Sequence, residues 1–203
     1  MTTTTMGTAG ALGSTRAGAD GARDARERTG ALDLDALARM DVEALGRLYA
    51  AGTTPADVSG LEGHPRGRML SVKALDRGTV FRALRGFARA AVFPWGGKSF
   101  IGRGATGTGC NRVHLFGRHQ LFPFHTRIQA SVVDRAPCIA LDYDLPDNPA
   151  LIRAIHDEIR EIAPGLYLGP AMAKTASGPS FVLWFALDTR TQARPIGLGR
   201  GAT

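Results

Sequence analysis

Residues 141–149 read Leu-Asp-Tyr-Asp-Leu-Pro-Asp-Asn-Pro. The stretch closes an apolar alternating run, 138–144, and opens a second pattern, 149–162. In the first run Ile139, Leu141 and Tyr143 share one face, and Asp142 and Asp144 share the other, because successive strand side chains point to opposite sides. Only one set can face an interior. If it is the tyrosine set, both carboxylates face out. If it is the aspartates, two carboxylates enter an apolar space, and one of them is pushed up in pKa and able to act as an acid. In the second pattern Asn148 is a cap, Pro149 a first helical residue, and Ile152, Ile155, Ile159 and Ile162 form a helical stripe that Pro164-Gly165 ends.

Working upstream, 121–133 and 110–116 are strand runs joined by a turn at 117–118, and 134–137 turns the chain into 138–144. Residues 93–100, Phe-Pro-Trp-Gly-Gly-Lys-Ser-Phe, turn the chain into β structure, with the glycine pair bending the backbone beside Trp95. They do not form a phosphate loop, which needs a Gly five residues before its Gly-Lys-Ser, where Val92 stands. The Gly/Thr-rich run 102–109 reads as a flexible hairpin loop, and 68–74 as a half-buried strand. Thr79 caps a helix over 79–92 whose outer stripe is Arg82, Arg85 and Arg89. Asp33 and Asp41 cap two short helices, the second running through Ala51.

Downstream, 166–175 and 180–188 form a hairpin. Across 181–187 both faces are apolar, with Phe181, Leu183 and Phe185 against Val182, Trp184 and Ala186. Such a strand must be covered twice, which in a barrel means a lined interior and either a helix or a second copy of the chain, a homodimer, outside. The total of about seven strands with short connections predicts an α+β chain, mainly antiparallel β, folded as a curved sheet or small barrel with flanking helices.

The predicted folded body is 32–188. Residues 1–31 are Thr, Gly, Ala and Arg with almost no large apolar side chain and read as a disordered tail, with Met6 as an alternative start; 189–203 read as a loose tail. The apolar fraction of 44% is ordinary for a globular domain, and no run of 18 apolar residues exists to form a membrane-spanning helix. Residues 1–13 lack the basic and apolar regions of a secretory signal, and Cys110 and Cys138 are too few for a disulfide scaffold, so a reduced, cytoplasmic setting is expected. Charge is unevenly placed. Residues 63–127 carry twelve Lys/Arg against one acid, Asp76, whereas 128–188 carry four against eight. The basic middle favours an anionic partner: phosphate, carboxylate, nucleic acid or an anionic membrane.

Trp95-Gly-Gly-Lys98, Leu141-Asp-Tyr-Asp144 and Gly165-Leu-Tyr-Leu-Gly169 together resemble bacterial lipocalin-like (calycin-type) barrel proteins, over about the last 110 residues. The Gly-x-Trp signature of true lipocalins is absent. The resemblance implies a barrel with a ligand-sized interior and assigns no catalytic residue.

Candidate site residues follow from polar groups set among apolar strand neighbours, where burial is costly unless each group is satisfied. Asp142, His125 and Lys174 are the candidate acid–base groups if the chain is an enzyme. Arg112 and His114 share one face, as do His125 and Arg127, and adjacent strands bring the four together as a carboxylate or phosphate site. Trp95, Lys98, Asn111, Phe124, Tyr143, Tyr167 and Trp184 complete the candidate ligand contacts. No metal ligand set is expected, since no His-x-x-x-His pair or calcium loop is present, and no cofactor fingerprint appears. Three functions compete: binding of an amphipathic or apolar small molecule (an acyl chain, a polyketide-like molecule or a carboxylate) in the barrel; cofactor-independent isomerisation or cyclisation in the same cavity; and nucleic-acid or anionic-membrane binding through the basic middle.

Overall fold

The structure is a computed structural model and describes Met1 and residues 32–72, 95–114 and 116–194. The helix expected over 79–92, with its arginine stripe, lies outside the described residues. Among the described residues two short helices come first, α1 (Leu34–Ala38) and α2 (Val42–Ala51). Asp33 and Asp41 cap them as expected, each accepting a backbone N–H at 2.7 Å. A 3-10 turn, Val58–Leu61, follows.

Eight strands then close into a barrel in which every strand is antiparallel to its chain neighbours: β1 (Pro65–Val72), β2 (Trp95–Arg103), β3 (Thr106–Val113), β4 (His119–Ala130), β5 (Pro137–Asp142), β6 (Ile155–Ala163), β7 (Leu166–Thr175) and β8 (Gly178–Gln192). β8 pairs back on β1, with Arg68 opposite Ala186, so no sheet edge is left open. A single helical turn, α3 (Ala150–Arg153), precedes β6. The mainly antiparallel barrel is the expected architecture, with one strand more.

The additional strand is β6, and it replaces most of the helix expected over 149–162. The isoleucine spacing fits a helix, but 155–161 also alternates. Ile155, Asp157 and Ile159 point one way, and His156, Glu158 and Arg160 the other. Polar residues on both faces concealed that period. β-branched isoleucines favour the pleated form, and among the fully buried side-chain polar atoms of the run only Asp157 Oδ1 lacks a partner. Asn148 is not a helix cap. Its amide donates to the carbonyls of Pro123 (2.7 Å) and Tyr143 (2.9 Å), holding the chain after β5 against β4, and Pro149 takes the cap position. The expected loop 102–109 is two strand ends around a tight turn at Gly104-Ala105, and β8 runs four residues beyond 188.

The glycine pair behaves as its sequence implies. Gly97 adopts φ +111° at a register shift in β2, and a Cβ there would meet the Arg112 guanidinium and the Pro65 carbonyl at 2.6 Å. That contact is the function of Arg112: it is buried between β1 and β2, donating to the carbonyls of Pro65 and Gly96.

Helix α2 covers the outer face of β6–β8. Tyr49 packs on Trp184 (5.5 Å between ring centroids) and donates a hydrogen bond to Glu158 at 2.9 Å. This answers the doubly apolar β8: Leu183, Phe185 and Leu187 belong to the barrel core, while Trp184 lies beneath the helix. The 3-10 turn plugs one end of the barrel. Val58 N–H donates to the Gly104 carbonyl at 2.9 Å, and Val58 and Leu61 belong to the same core cluster as Phe100, Phe124 and Tyr167.

Candidate functional site

Up-and-down topology brings the start of every even strand and the end of every odd strand to the barrel end opposite the plug. There the described residues line a partly open cavity of about 90 Å³. Its walls are apolar: Met69, Phe122, Ile152, Met172, Leu183 and Phe185 among them. Its polar groups come from four neighbouring positions around the barrel, Lys98 on β2, Asn111 on β3, Tyr143 just past β5 and Asp157 on β6.

These four side chains form one network. Lys98 Nζ donates to Asn111 Oδ1 (3.0 Å), Tyr143 Oη (2.5 Å) and Asp157 Oδ2 (3.0 Å). Tyr143 O–H donates to the same Asp157 oxygen at 3.0 Å. Trp95 Nε1–H donates to Asn111 Oδ1 at 2.9 Å, and the Asn111 amide reaches Tyr143 Oη at 3.3 Å and the Phe122 carbonyl at 3.4 Å. Lys98 also sits 4.9–5.4 Å from the centroids of four rings, Trp95, Phe124, Tyr143 and Phe185. Facing ring clouds and a carboxylate are what a buried ammonium requires.

Burial is nearly complete, with Lys98 and Asp157 each 3% exposed. Burial pulls the Lys98 ammonium below its ordinary pKa, and the Asp157 charge and hydrogen bond pull it part of the way back. Burial, with the Asp157 charge adding to it, holds the Tyr143 hydroxyl well above the ordinary phenol value, so it stays protonated and donates. Asp157 Oδ1 has no partner.

Four of the residues singled out from sequence therefore meet here: Trp95, Lys98, Asn111 and Tyr143. Phe124 lies directly below Lys98. Tyr167 belongs to the plugged end, Trp184 to the outer face under α2, and Arg112 to the β1–β2 seam. The alternation within 138–144 resolves with Tyr143 inward, at 2% exposed, and Asp144 outward. Asp142, His125 and Lys174 lie outside the cavity. Asp142 pairs with Lys174 at 3.1 Å and faces Arg127 at 3.9 Å, and His125 stands exposed opposite Asp142 across the β4–β5 ladder. Burial opposes ionisation of Asp142, but the Asp144 N–H, Lys174 and Arg127 outweigh it and hold the carboxyl below its usual range. The expected grouping of Arg112, His114, His125 and Arg127 does not form, because register places Arg112 opposite Gln120 and His125 opposite Thr108, toward opposite ends of the strands.

Asp157 is not among the candidates that the sequence yields, because the isoleucine stripe predicts a helix over 149–162; only the alternation through 155–161 marks it as a partner of inward-facing isoleucines.

No family model matches the chain, and no curated protein matches it. A solved crystal structure of a protein from Thermomonospora curvata is similar in fold, with a TM-score of 0.50, 21% identity, and coverage of 84% of this chain and 99% of that one.

Proposed function

We propose that the barrel binds a small, slim molecule with an apolar body and one polar end. One observation carries this reading: an apolar cavity whose inner end presents a single connected polar cluster, Lys98, Asn111, Tyr143 and Asp157. Apolar walls with a few convergent polar groups are the usual composition of ligand sites. An eight-stranded up-and-down closure is also the architecture of the calycin-type proteins that the sequence resembles. Volume favours one of the expected ligand classes. A dry cavity of ~150 Å³ takes a benzene ring. One of about 90 Å³ suits a short alkyl or acyl chain better than a fused-ring polyketide, with Met69 and Met172 able to yield for a longer one.

The two tryptophans supply the test. Trp95 lines the cavity and Trp184 lies under α2, so one indole N–H resonance reports on ligand and the other is an internal control. Straight-chain alcohols of increasing length should shift the Trp95 signal, with affinity rising by ~0.8 kcal/mol per added CH₂ until the space is filled. Affinity independent of length, or equal movement of both indoles, overturns the reading.

Cofactor-independent isomerisation or cyclisation in the same cavity is the second reading. It would use a free carboxylate oxygen on Asp157 as base and the protonated Tyr143 as acid, in place of Asp142, His125 and Lys174. Binding through the basic middle has the least support. Lys98 and Arg112 are buried, Arg68 pairs with Asp35 and Arg127 faces Asp142, while five of the twelve cations lie outside the described residues.

A further inference from the structure

We propose that the polar end of the bound molecule is a neutral hydroxyl seated on Asp157 Oδ1, and not a carboxylate. This deepens the cavity-binding reading above and rests on it. The argument is an inventory of protons. A lysine ammonium has three, and Lys98 spends them on Asn111, Tyr143 and Asp157 Oδ2. The Tyr143 proton goes to Asp157 Oδ2, the Trp95 indole proton to Asn111 Oδ1, and the Asn111 amide protons to Tyr143 and the Phe122 carbonyl. Every donor of the cluster is committed. The unfilled position is an acceptor, the second oxygen of a carboxylate that is 3% exposed and lines the cavity. Buried polar atoms are nearly always partnered, so an orphan facing a cavity marks where a ligand proton belongs.

Charge narrows the class further. Among the described lining residues Lys98 and Asp157 are the fixed charges, and they cancel. A ligand carboxylate would find no free donor and would set a second anion against Oδ1. A ligand ammonium would leave a second cation beside Lys98 in the same low-dielectric space. An alcohol or phenol supplies the missing proton and leaves the pair neutral.

The test uses the full chain and four probes of one size, chosen for the cavity: 1-butanol, butyrate, butylammonium and 1-fluorobutane, followed at neutral pH through the Trp95 indole resonance. Butanol should bind tightest, ahead of fluorobutane by about ten- to a hundredfold, the range of a hydrogen bond to a charged acceptor. Equal affinity of butanol and fluorobutane, or butyrate or butylammonium binding best, overturns the hydroxyl assignment while the cavity reading stands. No binding by any of the four overturns the cavity reading itself. In Asp157→Asn, which removes the anion and leaves Lys98 unbalanced, butyrate should gain on butanol by at least about tenfold. An unchanged ratio in a folded variant locates the polar end elsewhere and overturns the proposal. The wild-type series decides the matter even if that variant does not fold.

Discussion

The Lys98–Asp157 pair should be costly to break and cheap to remove. In Lys98→Met the carboxylate keeps the Tyr143 proton alone, in a space where Asp157 is 3% exposed. In Asp157→Leu the ammonium keeps two neutral acceptors, Asn111 Oδ1 and Tyr143 Oη, and its four flanking rings. Leaving one buried charge without its partner costs about 3–5 kcal/mol. At this chain length about 1 kcal/mol corresponds to about 2–4 °C in Tm, so each single variant should melt roughly 6–20 °C below the parent. The double variant Lys98→Met/Asp157→Leu has no charge left to strand. Tyr143 and Asn111 remain 3.3 Å apart and can satisfy each other, and Trp95 keeps Asn111. Paired apolar replacement of a buried ion pair is often neutral or better. The double variant should therefore recover to within about 1–2 kcal/mol of the parent, giving a coupling of several kcal/mol in an equilibrium urea cycle. Singles costing under about 1 kcal/mol, or a double variant equal to their sum, would refute the view that two mutually dependent charges are buried here.

Three more outcomes follow from the barrel and its outer shell. Arg160 is buried, forks onto both oxygens of Asp134 (2.7 and 2.5 Å), donates to the carbonyls of Pro137, Ala136 and Tyr49, and lies 4.4 Å from the Tyr49 ring centroid. Arg160→Lys cannot reproduce that fork and should cost about 3 kcal/mol or more by urea unfolding, despite keeping the charge. A Cβ at Gly169 would stand 1.8 Å from the Glu158 carbonyl oxygen, a backbone atom that cannot step aside, so Gly169→Ala should force β6 and β7 apart and cost at least about 3 kcal/mol, read as lost soluble yield or a lowered Tm. Asp134, Asp142, Glu158 and Asp188 are all held below their ordinary pKa in the folded state. Their charged forms therefore add stability that is fully present above the ordinary carboxylate range and is lost as pH falls through the folded-state values; urea midpoints should drop steeply below about pH 4, after a smaller decline on leaving neutral pH, because burial holds the His64 imidazole below its ordinary pKa.

What the sequence disclosed, and what it concealed, follows from how strongly each face of a strand is marked. Residues 138–144 carry apolar side chains on one face and carboxylates on the other, so the alternation ties Tyr143 to Ile139 and Leu141 and leaves open which set lines the interior; burial in the folded barrel turns the tyrosine set inward. Strand β8 is apolar on both faces, so nothing in the sequence distinguishes Trp184, under α2, from Phe185, beside Lys98. In β6 both faces are mixed, and the isoleucine stripe imitates a helix. Asn111 and Arg112 are sequence neighbours on one strand and both qualify from sequence as ligand contacts, although alternation allows only one of them to point inward. The structure assigns Asn111 to the cavity and Arg112 to the seam.

The separation of scaffold from site is clearest at two adjacent carboxylates. Glu158 points outward beneath α2 and is wholly buried, yet both of its oxygens are filled. Oε2 accepts from Tyr49 (2.9 Å) and Ser131 (2.5 Å), and Oε1 accepts from the Val132 N–H (2.8 Å) and lies 3.1 Å from His156 Nε2. Burial opposes its ionisation, and this set of partners overcomes the penalty. Asp157 points inward, equally hidden, with one oxygen filled twice and the other not at all. A carboxylate that serves only to fasten a helix to a sheet gains from complete satisfaction, because each empty lone pair costs stability. The same chain meets that requirement at 158 and leaves it unmet one residue earlier, within reach of apolar walls and at the end of a cavity. The difference in occupancy between neighbours, more than the burial they share, is the physical reason to read 157 as part of a binding site and 158 as part of the frame that holds it.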